Sequence, residues 1–573
     1  MEQFFNQLNL TDKTFFFVYQ TVLRYGMPVL CGLLLLRCIR PLLTFRREPE
    51  IWAWLCLTNG KKLPITHWES VIGRSKRSDV VIDVPTISRS HAVLTRYDDG
   101  SWTISDAQSK SGTMVNGQYI DIASLDEEDV ITIGGVDLSL QPISRRQEIR
   151  LSQLRTKAAK PVQSIGNLLL LTVIQFLFCF SYLLSPNVQH TAMIFTGFTG
   201  IVACQWSLMA FYLIIRKPSF ELETLAFFLC SLGMAAIAAV KPEESVKQLL
   251  AIVFGLCLFL GIGWSLRDME RAKKMRYFAA IGGILLLLIT LVFGKEYHGA
   301  KNWLIIGNYS FQPSELSKVC FVFVGASALD RLVNKRNLIL FILYTLIICI
   351  CLAVMNDFGT ALIFFVAFLL IAYLRSGSVG TIALSCASVG FAGILAVRVA
   401  PHALRRFASW RHIWEDPLGA GYQQTRALMC IASGGFFGLG AGNGWMKRVF
   451  AADSDVVTAT VAEEWGILIV LMSVACILVY GLFTLRSAAA ARSSFHTIVS
   501  CTAAGIFLVQ AILNTLGTMD ILPLTGVTFP FLSNGGSSMI CAWGLLAFMK
   551  AADTRQNASF AVRQSKERRQ SDE

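Results

Sequence analysis

Charged residues are scarce in this chain of 573 residues. Asp, Glu, Lys and Arg make up 16% of it, whereas they make up about a quarter of a typical soluble protein. Hydrophobic residues make up 54%, and the mean hydropathy is +0.54. This composition excludes a wholly soluble protein and predicts a polytopic α-helical membrane protein that carries a soluble part.

The 15 cysteines show neither a paired framework nor the spacing of a metal site. All but Cys56 lie in or beside apolar segments, so we expect small apolar fillers rather than disulfides. The first apolar run also lacks a following small-residue cleavage site, and we therefore do not expect a cleavable signal peptide.

The soluble part is predicted between residues 51 and 142, where no apolar run reaches membrane length. Short alternating segments separated by Gly, Asp and Asn turns are typical of an antiparallel β-sandwich. The predicted strands are 52–58, 80–84, 91–97, 102–105, 130–133 and 136–140. The sequence therefore predicts an all-β domain inserted between membrane helices.

Three polar motifs lie between these strands: GRS at 73–75, SRSH at 88–91 and SKSGTMVNG at 109–117. Their order and spacing resemble those of a forkhead-associated (FHA) domain, a family that binds phosphothreonine peptides. The resemblance implies phosphate contacts from Arg74 and Ser88, with Arg89 as a helper. A guanidinium and a hydroxyl suit a doubly charged phosphate.

One position departs from the FHA pattern. The Asn that grips the peptide backbone in the family is Ser111 here, preceded by Lys110, which we count as a further candidate phosphate contact. His91 is expected to brace the loop rather than to touch the ligand. The alternative is a sandwich used only for packing, and the retention of Arg74 and Ser88 argues against it.

Apolar segments at membrane length predict about thirteen spanning helices. They lie at 14–37, 166–184, 191–215, 221–240, 249–266, 277–294, 316–330, 337–355, 358–374, 380–400, 461–485, 495–515 and 537–552. The chain then divides into a first helix with linker (1–50), the sandwich (51–142), a basic linker with two extra helices (143–220), a ten-helix domain (221–552) and a disordered cytoplasmic tail (553–573).

Lys and Arg residues cluster in alternate loops, and such loops are cytoplasmic. The basic loops include 37–47, 145–160, 267–276 and the tail at 563–569. We therefore expect the N-terminus outside, with the sandwich and the C-terminus in the cytoplasm.

Six motifs lie in or beside the loops of the opposite side. They are GAKNW (299–303), QPSELSK (312–318), NDFGTA (356–361), GYQQTRALMCIASGGFFGLGAGNG (421–444), SDVVTATVAEEWG (454–466) and LPLTGVTFPFLSNGGSS (522–538). In this order they resemble the SEDS family (shape, elongation, division and sporulation). The resemblance implies a SEDS-type bundle in the bacterial cytoplasmic membrane, which polymerises lipid II outside it. The implied partner is a class B penicillin-binding protein.

The resemblance places the essential carboxylate of the family on Asp455. That carboxylate either accepts the proton of the acceptor's sugar 4-hydroxyl or holds a divalent cation, Mg²⁺ or Mn²⁺, that neutralises the leaving diphosphate. The residues alone also fit a structural explanation, in which Ser454 or Asp455 caps a helix for about 1 kcal/mol.

Several further residues are candidates for substrate binding. Lys318 matches a family lysine and lies one helical turn from Glu315, so the two are also expected to pair. Cations near a diphosphate are expected on electrostatic grounds. The full candidate set is Glu315, Lys318, Arg405, Arg406, Arg426, Glu464 and Ser537.

Two other functions compete with the glycosyltransferase. Altered motifs around Asn302 and Arg426 fit a non-catalytic scaffold for lipid II or a transpeptidase. Lipid II flipping is the third interpretation, although no internal inverted repeat supports it. The remaining expected partners are a threonine-phosphorylated protein and a membrane Ser/Thr kinase, with no nucleic acid.

Overall fold

The computed structural model consists of a β-sandwich and a helical bundle. It describes residues 13–44, 51–76, 78–97, 100–144, 161–266, 269–297, 300–307, 309–328, 335–376, 409–488, 493–555 and 558–559, with five isolated positions between them. The predicted span at 380–400 and the basic linker at 145–160 lie largely outside these residues.

Two sheets form the sandwich. One has the strand order β2-β1-β11-β10-β7-β8 and the other β4-β3-β5-β6-β9. The strands are β1 (Ala53–Leu57), β2 (Lys62–Ile65), β3 (Glu69–Gly73), β4 (Val80–Val81), β5 (Ala92–Arg96), β6 (Trp102–Asp106), β7 (Thr113–Val115), β8 (Gln118–Ile120), β9 (Ile122–Leu125), β10 (Val130–Ile133) and β11 (Val136–Pro142). The predicted antiparallel sandwich is confirmed except at the β3–β4 pair, which is parallel.

Alternation of apolar and polar residues builds the sandwich core. Leu55, Ile104 and Ile131 are fully buried, while their chain neighbours are more exposed. Five strands were not predicted, namely β2, β3, β7, β8 and β9. Most of them have only three or four residues, which is too short for alternation to stand out from a turn.

Fourteen helices are described in the rest of the chain, apart from two short 3₁₀ turns. They are α1 (Lys13–Leu43), α2 (Pro161–Leu183), α3 (Thr191–Ile214), α4 (Glu221–Val240), α5 (Ser245–Ser265), α6 (Met269–Phe293), α7 (Pro313–Ala328), α8 (Lys335–Val354), α9 (Phe358–Ser376), α10 (Tyr422–Gly434), α11 (Val457–Trp465), α12 (Ile467–Ala488), α13 (Ser494–Thr518) and α14 (Gly536–Ala551). Helix α4 is apolar on all sides and lies in the centre of the bundle, as such a helix must.

Nine helices within the described ranges are long and apolar enough to cross a membrane, and two more are shorter. The predicted number of about thirteen therefore stays a prediction. The predicted span 461–485 was wrong at its start, because the helix is interrupted at Gly466, between α11 and α12. Gly466 has φ +89°, and a side chain there would clash with the carbonyl oxygen of Phe436.

The region before α7, expected to be a loop, is a small sheet instead. Its antiparallel strands are β12 (Lys295–Tyr297), β13 (Ala300–Ile306) and β14 (Tyr309–Phe311). The backbone N–H of Lys301 also donates to the carbonyl of Met355, which ties the sheet to the turn before α9.

A buried ionic network closes one end of the bundle. Lys550 pairs with Glu223 at 3.2 Å, and Arg555 lies 2.7 Å from Asp553 and 3.4 Å from Glu221. Buried charges are tolerated when they are paired in this way. The predicted tail boundary at 553 was therefore wrong, since Asp553 and Arg555 belong to the bundle. Residues 560–573 lie outside the described residues.

The sandwich contacts the bundle where α13 begins. The hydroxyl of Ser494, the first residue of α13, donates to Glu69 of β3 at 3.1 Å. We call this end of α13 the sandwich end. Asn514 lies 20 residues further along α13 (514 − 494) and contacts the loop that carries Asp455. At 1.5 Å per residue the two contacts are about 30 Å apart, and we call the second the Asp455 end.

Candidate functional sites

Asp455 lies in the loop that leads into α11. The N-cap of α11 is Val456, whose side chain makes no capping hydrogen bond. The hydroxyl of Ser454 donates instead to the carbonyl of Ala451 at 3.5 Å. The N-cap position predicted for Ser454 or Asp455 was therefore wrong, since Val456 holds it. A catalytic role of Asp455 stays a prediction.

The half-buried carboxylate of Asp455 lies against the segment 525–538. A Cβ atom built on Gly526 would lie 3.3 Å from Oδ2 of Asp455. Gly526 also has φ +68°, a conformation that residues with side chains rarely adopt. Glycine at this position thus permits the turn and leaves room for the carboxylate.

Asn514 of α13 joins the Asp455 loop to the segment 525–538. Its Nδ2 donates to the carbonyl oxygens of Asp455 and Val527, at 2.9 Å each. The hydroxyl of Ser533 donates to the carbonyl of Ser454 at 2.7 Å. The two loops are therefore held together by side chains that bind backbone.

Asp453 fixes the other side of the Asp455 loop. Its buried carboxylate pairs with Lys241 at 3.1 Å and accepts a bond from Asn534 at 2.7 Å. Burial alone would lower the pKa of Lys241, but the neighbouring Asp453 carboxylate outweighs burial and raises it, so Lys241 stays protonated at neutral pH. The sequence did not identify these three residues, because Lys241 lies 212 positions from Asp453.

Glu315 and Lys318 form the predicted ion pair at the start of α7. Oε2 of Glu315 lies 2.7 Å from Nζ of Lys318, and their exposures are only 5% and 1%. The pairing is confirmed, whereas a role in substrate binding stays a prediction. Because both charges are desolvated, neither can be removed alone without leaving the other unpaired.

Asp357 is a further carboxylate near α7. It accepts bonds from Asn302 at 3.0 Å, from Gln312 at 3.1 Å and from the backbone N–H of Thr360 at 3.1 Å. We did not predict it as a site residue, although it belongs to the NDFGTA motif. Its position after α8 and before α9 was the available signal.

The segment 525–538 contacts both the Asp455 loop and the turn before α7. Beyond its contacts with the Asp455 loop, the hydroxyl of Ser537 accepts a bond from the backbone N–H of Gln312 at 3.1 Å. Ser537, a predicted site residue, therefore lies beside the turn that leads to Glu315. Segments separated by hundreds of residues thus converge at the Asp455 end of the bundle.

Glu464 does not belong to this group. It is buried and accepts bonds from the hydroxyl of Tyr182 at 2.6 Å and from the backbone N–H groups of Gly442 and Gly444 at 3.1 and 3.3 Å. A role for Glu464 in substrate binding stays a prediction. Glu464 anchors the loop before it to α2, one of the two extra helices.

Of the three predicted arginines, Arg426 lies within the described residues. Arg426 lies on α10, with its guanidinium 5.3 Å from the ring centre of Tyr422 and 5.7 Å from that of Trp445. Arg405 and Arg406 lie outside the described residues. A role for these three cations at the diphosphate stays a prediction.

A divalent cation at Asp455 also stays a prediction. In the part of the chain that the structure describes, no three His, Cys, Asp or Glu side chains form a cluster suited to a metal ion. Any such ion would need ligands from the substrate in addition to Asp455, as is usual for Mg²⁺ bound with phosphates.

The loops at one edge of the sandwich bring the predicted phosphate contacts together. The backbone N–H of Arg74 donates to the carbonyl of Ser88 at 3.0 Å, and the Ser88 hydroxyl accepts a bond from the N–H of Lys110 at 3.0 Å. The hydroxyl of Ser111 donates to the carbonyl of Thr86 at 3.3 Å. Arg74, Arg89, Lys110 and Ser111 are exposed.

His91 braces these loops, as predicted. It is fully buried, and its Nδ1 accepts a bond from the N–H of Ser88 at 3.1 Å. Nε2 lies 3.1 Å from the carbonyl oxygen of Gly112, which fixes the tautomer with the proton on Nε2.

Asp106 is a supporting residue that sequence reasoning missed. Its carboxylate accepts bonds from the hydroxyls of Ser109 and Thr113 at 2.6 and 2.7 Å. Burial tends to raise the pKa of Asp106, but these bonds outweigh burial and lower it. The local pattern of Asp followed three residues later by Ser was the available signal.

Comparison with known families addresses the bundle and the sandwich separately. Residues 242–558, more than half of the chain, match the family model of FtsW, RodA and SpoVE. The description of this family is "Cell cycle protein". The chain belongs to the FtsW/RodA/SpoVE family. Residues 70–134 match the FHA domain. The family domain was predicted to begin at residue 221, so it includes α4, whereas the match begins after α4, at residue 242.

Individual FtsW/RodA/SpoVE relatives share about a quarter to a third of their residues with this chain. A probable peptidoglycan glycosyltransferase FtsW of Tolumonas auensis is 30% identical over 361 residues, which cover 59% of this chain and 93% of the relative. The peptidoglycan glycosyltransferase RodA of Mycobacterium tuberculosis is 27% identical over 331 residues, covering 54% and 70%.

Solved structures also resemble parts of the chain. One from a study of polymerization and crosslinking by a peptidoglycan synthase complex is 25% identical, with a TM-score of 0.49 over 58% of this chain and 97% of that chain. RodA of Thermus thermophilus is 24% identical, with a TM-score of 0.41 over 58% and 95%.

Proposed function

We propose that this chain is a peptidoglycan glycosyltransferase that polymerises lipid II at the outer face of the bacterial cytoplasmic membrane. The supporting observation is the convergence at the Asp455 end. There the Asp455 carboxylate lies over Gly526, and the same 525–538 segment contacts the turn leading to Glu315 and Lys318. A carboxylate beside segments that carry fixed charges suits transfer from a diphosphate donor.

In this reaction the acceptor's 4-hydroxyl oxygen forms a bond to the anomeric carbon of the donor sugar. The bond from that carbon to the lipid diphosphate breaks, and the diphosphate leaves with the electron pair. Asp455 accepts the proton of the attacking hydroxyl. Its partly buried position allows it to approach substrate while remaining in contact with the protein.

The arrangement of the two ends supports a division between compartments. With the N-terminus outside, the sandwich and the start of α13 lie in the cytoplasm, and Asp455 lies at the outer face. The positive loops support this orientation. Cytoplasmic ATP would then supply the phosphate that the sandwich recognises.

The sandwich would bind a threonine-phosphorylated protein and so localise or regulate the synthase. The exposed side chains of Arg74, Arg89 and Lys110 support this role. Nη1 of Arg74 donates to the carbonyl of Pro85 at 3.4 Å, and the other N–H groups of its guanidinium can bind a phosphate. A membrane Ser/Thr kinase would produce the ligand, and a class B penicillin-binding protein would crosslink the product.

Polymerisation of lipid II by the purified full chain tests this function. We expect glycan strands from the wild type, with or without a class B penicillin-binding protein, and none from Asp455→Asn. Binding of lipid II without polymer under any condition would favour the scaffold. Transfer of lipid II across vesicle membranes without polymer would favour the flippase.

A further inference from the structure

Asp453, two residues before Asp455, is held by groups from two other parts of the chain. Nζ of Lys241 lies 3.1 and 3.3 Å from its carboxylate oxygens, and Asn534 donates to it at 2.7 Å. The N–H of Asn534 also donates to the carbonyl of Asp453 at 2.8 Å. The Asp453 side chain is 2% exposed, so it is fixed by these partners and not by solvent.

Asn534 extends the contact to the connection between α4 and α5. Its Nδ2 lies 2.5 Å from Oε2 of Glu244 as well as close to Asp453. The amide therefore lies between two carboxylates, and Lys241 supplies a compensating charge. This cluster fixes one side of the Asp455 loop to α4, α5 and the segment 525–538.

Asn514 fixes the other side of the Asp455 loop. The amide group has two N–H donors, and the carbonyl oxygens of Asp455 and Val527 provide two acceptors at 2.9 Å. Aspartate at this position would place a carboxylate against both carbonyls, and leucine would leave them unsatisfied. Asn514 is 1% exposed, so water cannot replace the lost donors.

We propose that Asn514 and the Lys241–Asp453 pair are positioning residues for Asp455. They bind the loop at the Asp453 side chain and at the backbone carbonyl of Asp455, and they hold the Asp455 carboxylate over Gly526. This inference rests on the proposed glycosyltransferase function. A displacement of about 1 Å in a reacting group costs roughly 100-fold in rate, so these contacts matter for turnover even though they touch no substrate.

Lys241→Met is the main test. Because it leaves the buried Asp453 carboxylate without its cation, thermal unfolding is measured beside activity, and the double variant Lys241→Met/Asp453→Asn, which removes both charges, controls for folding. We expect kcat for lipid II polymerisation to fall roughly 10- to 100-fold, with KM unchanged. Lys241→Arg retains the charge and is expected to recover most of the activity. An unchanged kcat, or a raised KM with unchanged kcat, would overturn the proposal, since the latter indicates direct substrate binding.

A double-mutant cycle tests whether Lys241 and Asp453 act together. Asp453→Asn alone should lower kcat to a similar degree, and the double variant Lys241→Met/Asp453→Asn should be no worse than the poorer single variant. Fully additive losses would show that the two residues act separately and would contradict the inference.

Asn514→Ser tests the second contact, and Thr502→Val is its matched control. Thr502 is also buried in α13 but lies 12 residues (514 − 502), or about 18 Å, closer to the sandwich end. We expect a fall in kcat for Asn514→Ser only. Equal losses in both variants would reveal a merely structural effect and overturn the proposal.

Asp455→Asn, assayed in parallel, separates the inference from the function on which it rests. If the wild type makes no polymer, the proposed function is wrong and the positioning role falls with it. If Asp455→Asn still polymerises lipid II at the wild-type rate, the chain is a polymerase but Asp455 does not carry the chemistry, and the positioning role is wrong. If Asp455→Asn is inactive while Lys241→Met and Asn514→Ser retain the wild-type kcat, the positioning role alone is wrong.

Discussion

The sandwich and the Asp455 end of the bundle carry charged groups of opposite character. In the sandwich, Arg74, Arg89 and Lys110 are exposed on loops. At the Asp455 end, Lys318 and Asp453 are buried and bound to fixed partners. Exposed cations can accept a charged ligand at little cost, whereas buried pairs have already lost their hydration.

This difference separates recognition from positioning. The sandwich loops that carry Arg74, Arg89 and Lys110 need only present donors at the correct spacing, and the ligand supplies the opposite charge. At the Asp455 end the protein supplies both charges of each pair, and the carboxylate that we propose to react lies in the loop held by one of these pairs, Lys241–Asp453. Substitutions should therefore affect binding at one end, and folding and turnover at the other.

The largest expected effect is a loss of stability when the buried Glu315–Lys318 pair is broken. Lys318→Met leaves Glu315 charged and unpaired, which should destabilise the protein by about 3–5 kcal/mol. Thermal unfolding of the purified chain would measure the loss. The double variant Glu315→Gln/Lys318→Met should recover much of it, and equal melting temperatures for the single and double variants would contradict the pairing.

The next effect belongs to the exposed side. Arg74→Ala removes a hydrogen bond to a charged group, worth about 1.5–3 kcal/mol, so binding of a phosphothreonine peptide should weaken roughly 10- to 150-fold. Fluorescence anisotropy with the full chain would measure it. Lys76→Ala, an exposed cation two residues away, is the control. Equal affinity for phosphorylated and unphosphorylated peptides would refute the recognition role.

A smaller effect is expected at Gly526. Gly526→Ala forces a side chain into the φ +68° conformation at a cost of about 1–2 kcal/mol and adds a methyl group 3.3 Å from the Asp455 carboxylate. Polymerisation should fall while stability changes modestly. Gly60→Ala has similar backbone strain (φ +79°) with nothing nearby, and it should lose stability only. Equal polymerisation in both variants would contradict the close approach.

The smallest effect concerns pH at the sandwich. Because the folded pKa of Asp106 is lowered, its contribution to stability is present above its unfolded pKa, about 4, and is lost as pH falls through the folded pKa. Wild-type sandwich stability should therefore decline more steeply under acid than that of Asp106→Asn. Tryptophan fluorescence of the full chain across pH would follow this, and parallel curves would contradict it.

The sequence was more informative about the exposed site than about the buried one. Arg74, Ser88 and Lys110 lie within one short domain, where motif order and strand spacing are enough to bring loops together. Lys241, Asp453 and Asn534 meet across hundreds of residues, and no local pattern marks that contact. Glu464 shows the same limit, because its partner Tyr182 comes from a helix outside the family match.

The prediction of two helix boundaries failed for a related reason. Hydropathy continues through Gly466, so α11 and α12 were joined as one span, although a single backbone angle separates them. Hydropathy also could not show that Asp553 and Arg555 return into the bundle, because their burial depends on Glu221 far earlier in the chain.

The most direct test of the whole account measures both activities on the same four proteins: wild type, Arg74→Ala, Asp455→Asn and the double variant. Lipid II polymerisation and phosphothreonine-peptide binding would be assayed on each full chain. We predict that Arg74→Ala loses peptide binding but retains polymerisation, and that Asp455→Asn does the reverse. Polymerisation by Asp455→Asn at the wild-type rate would contradict the central claim that Asp455 carries the chemistry.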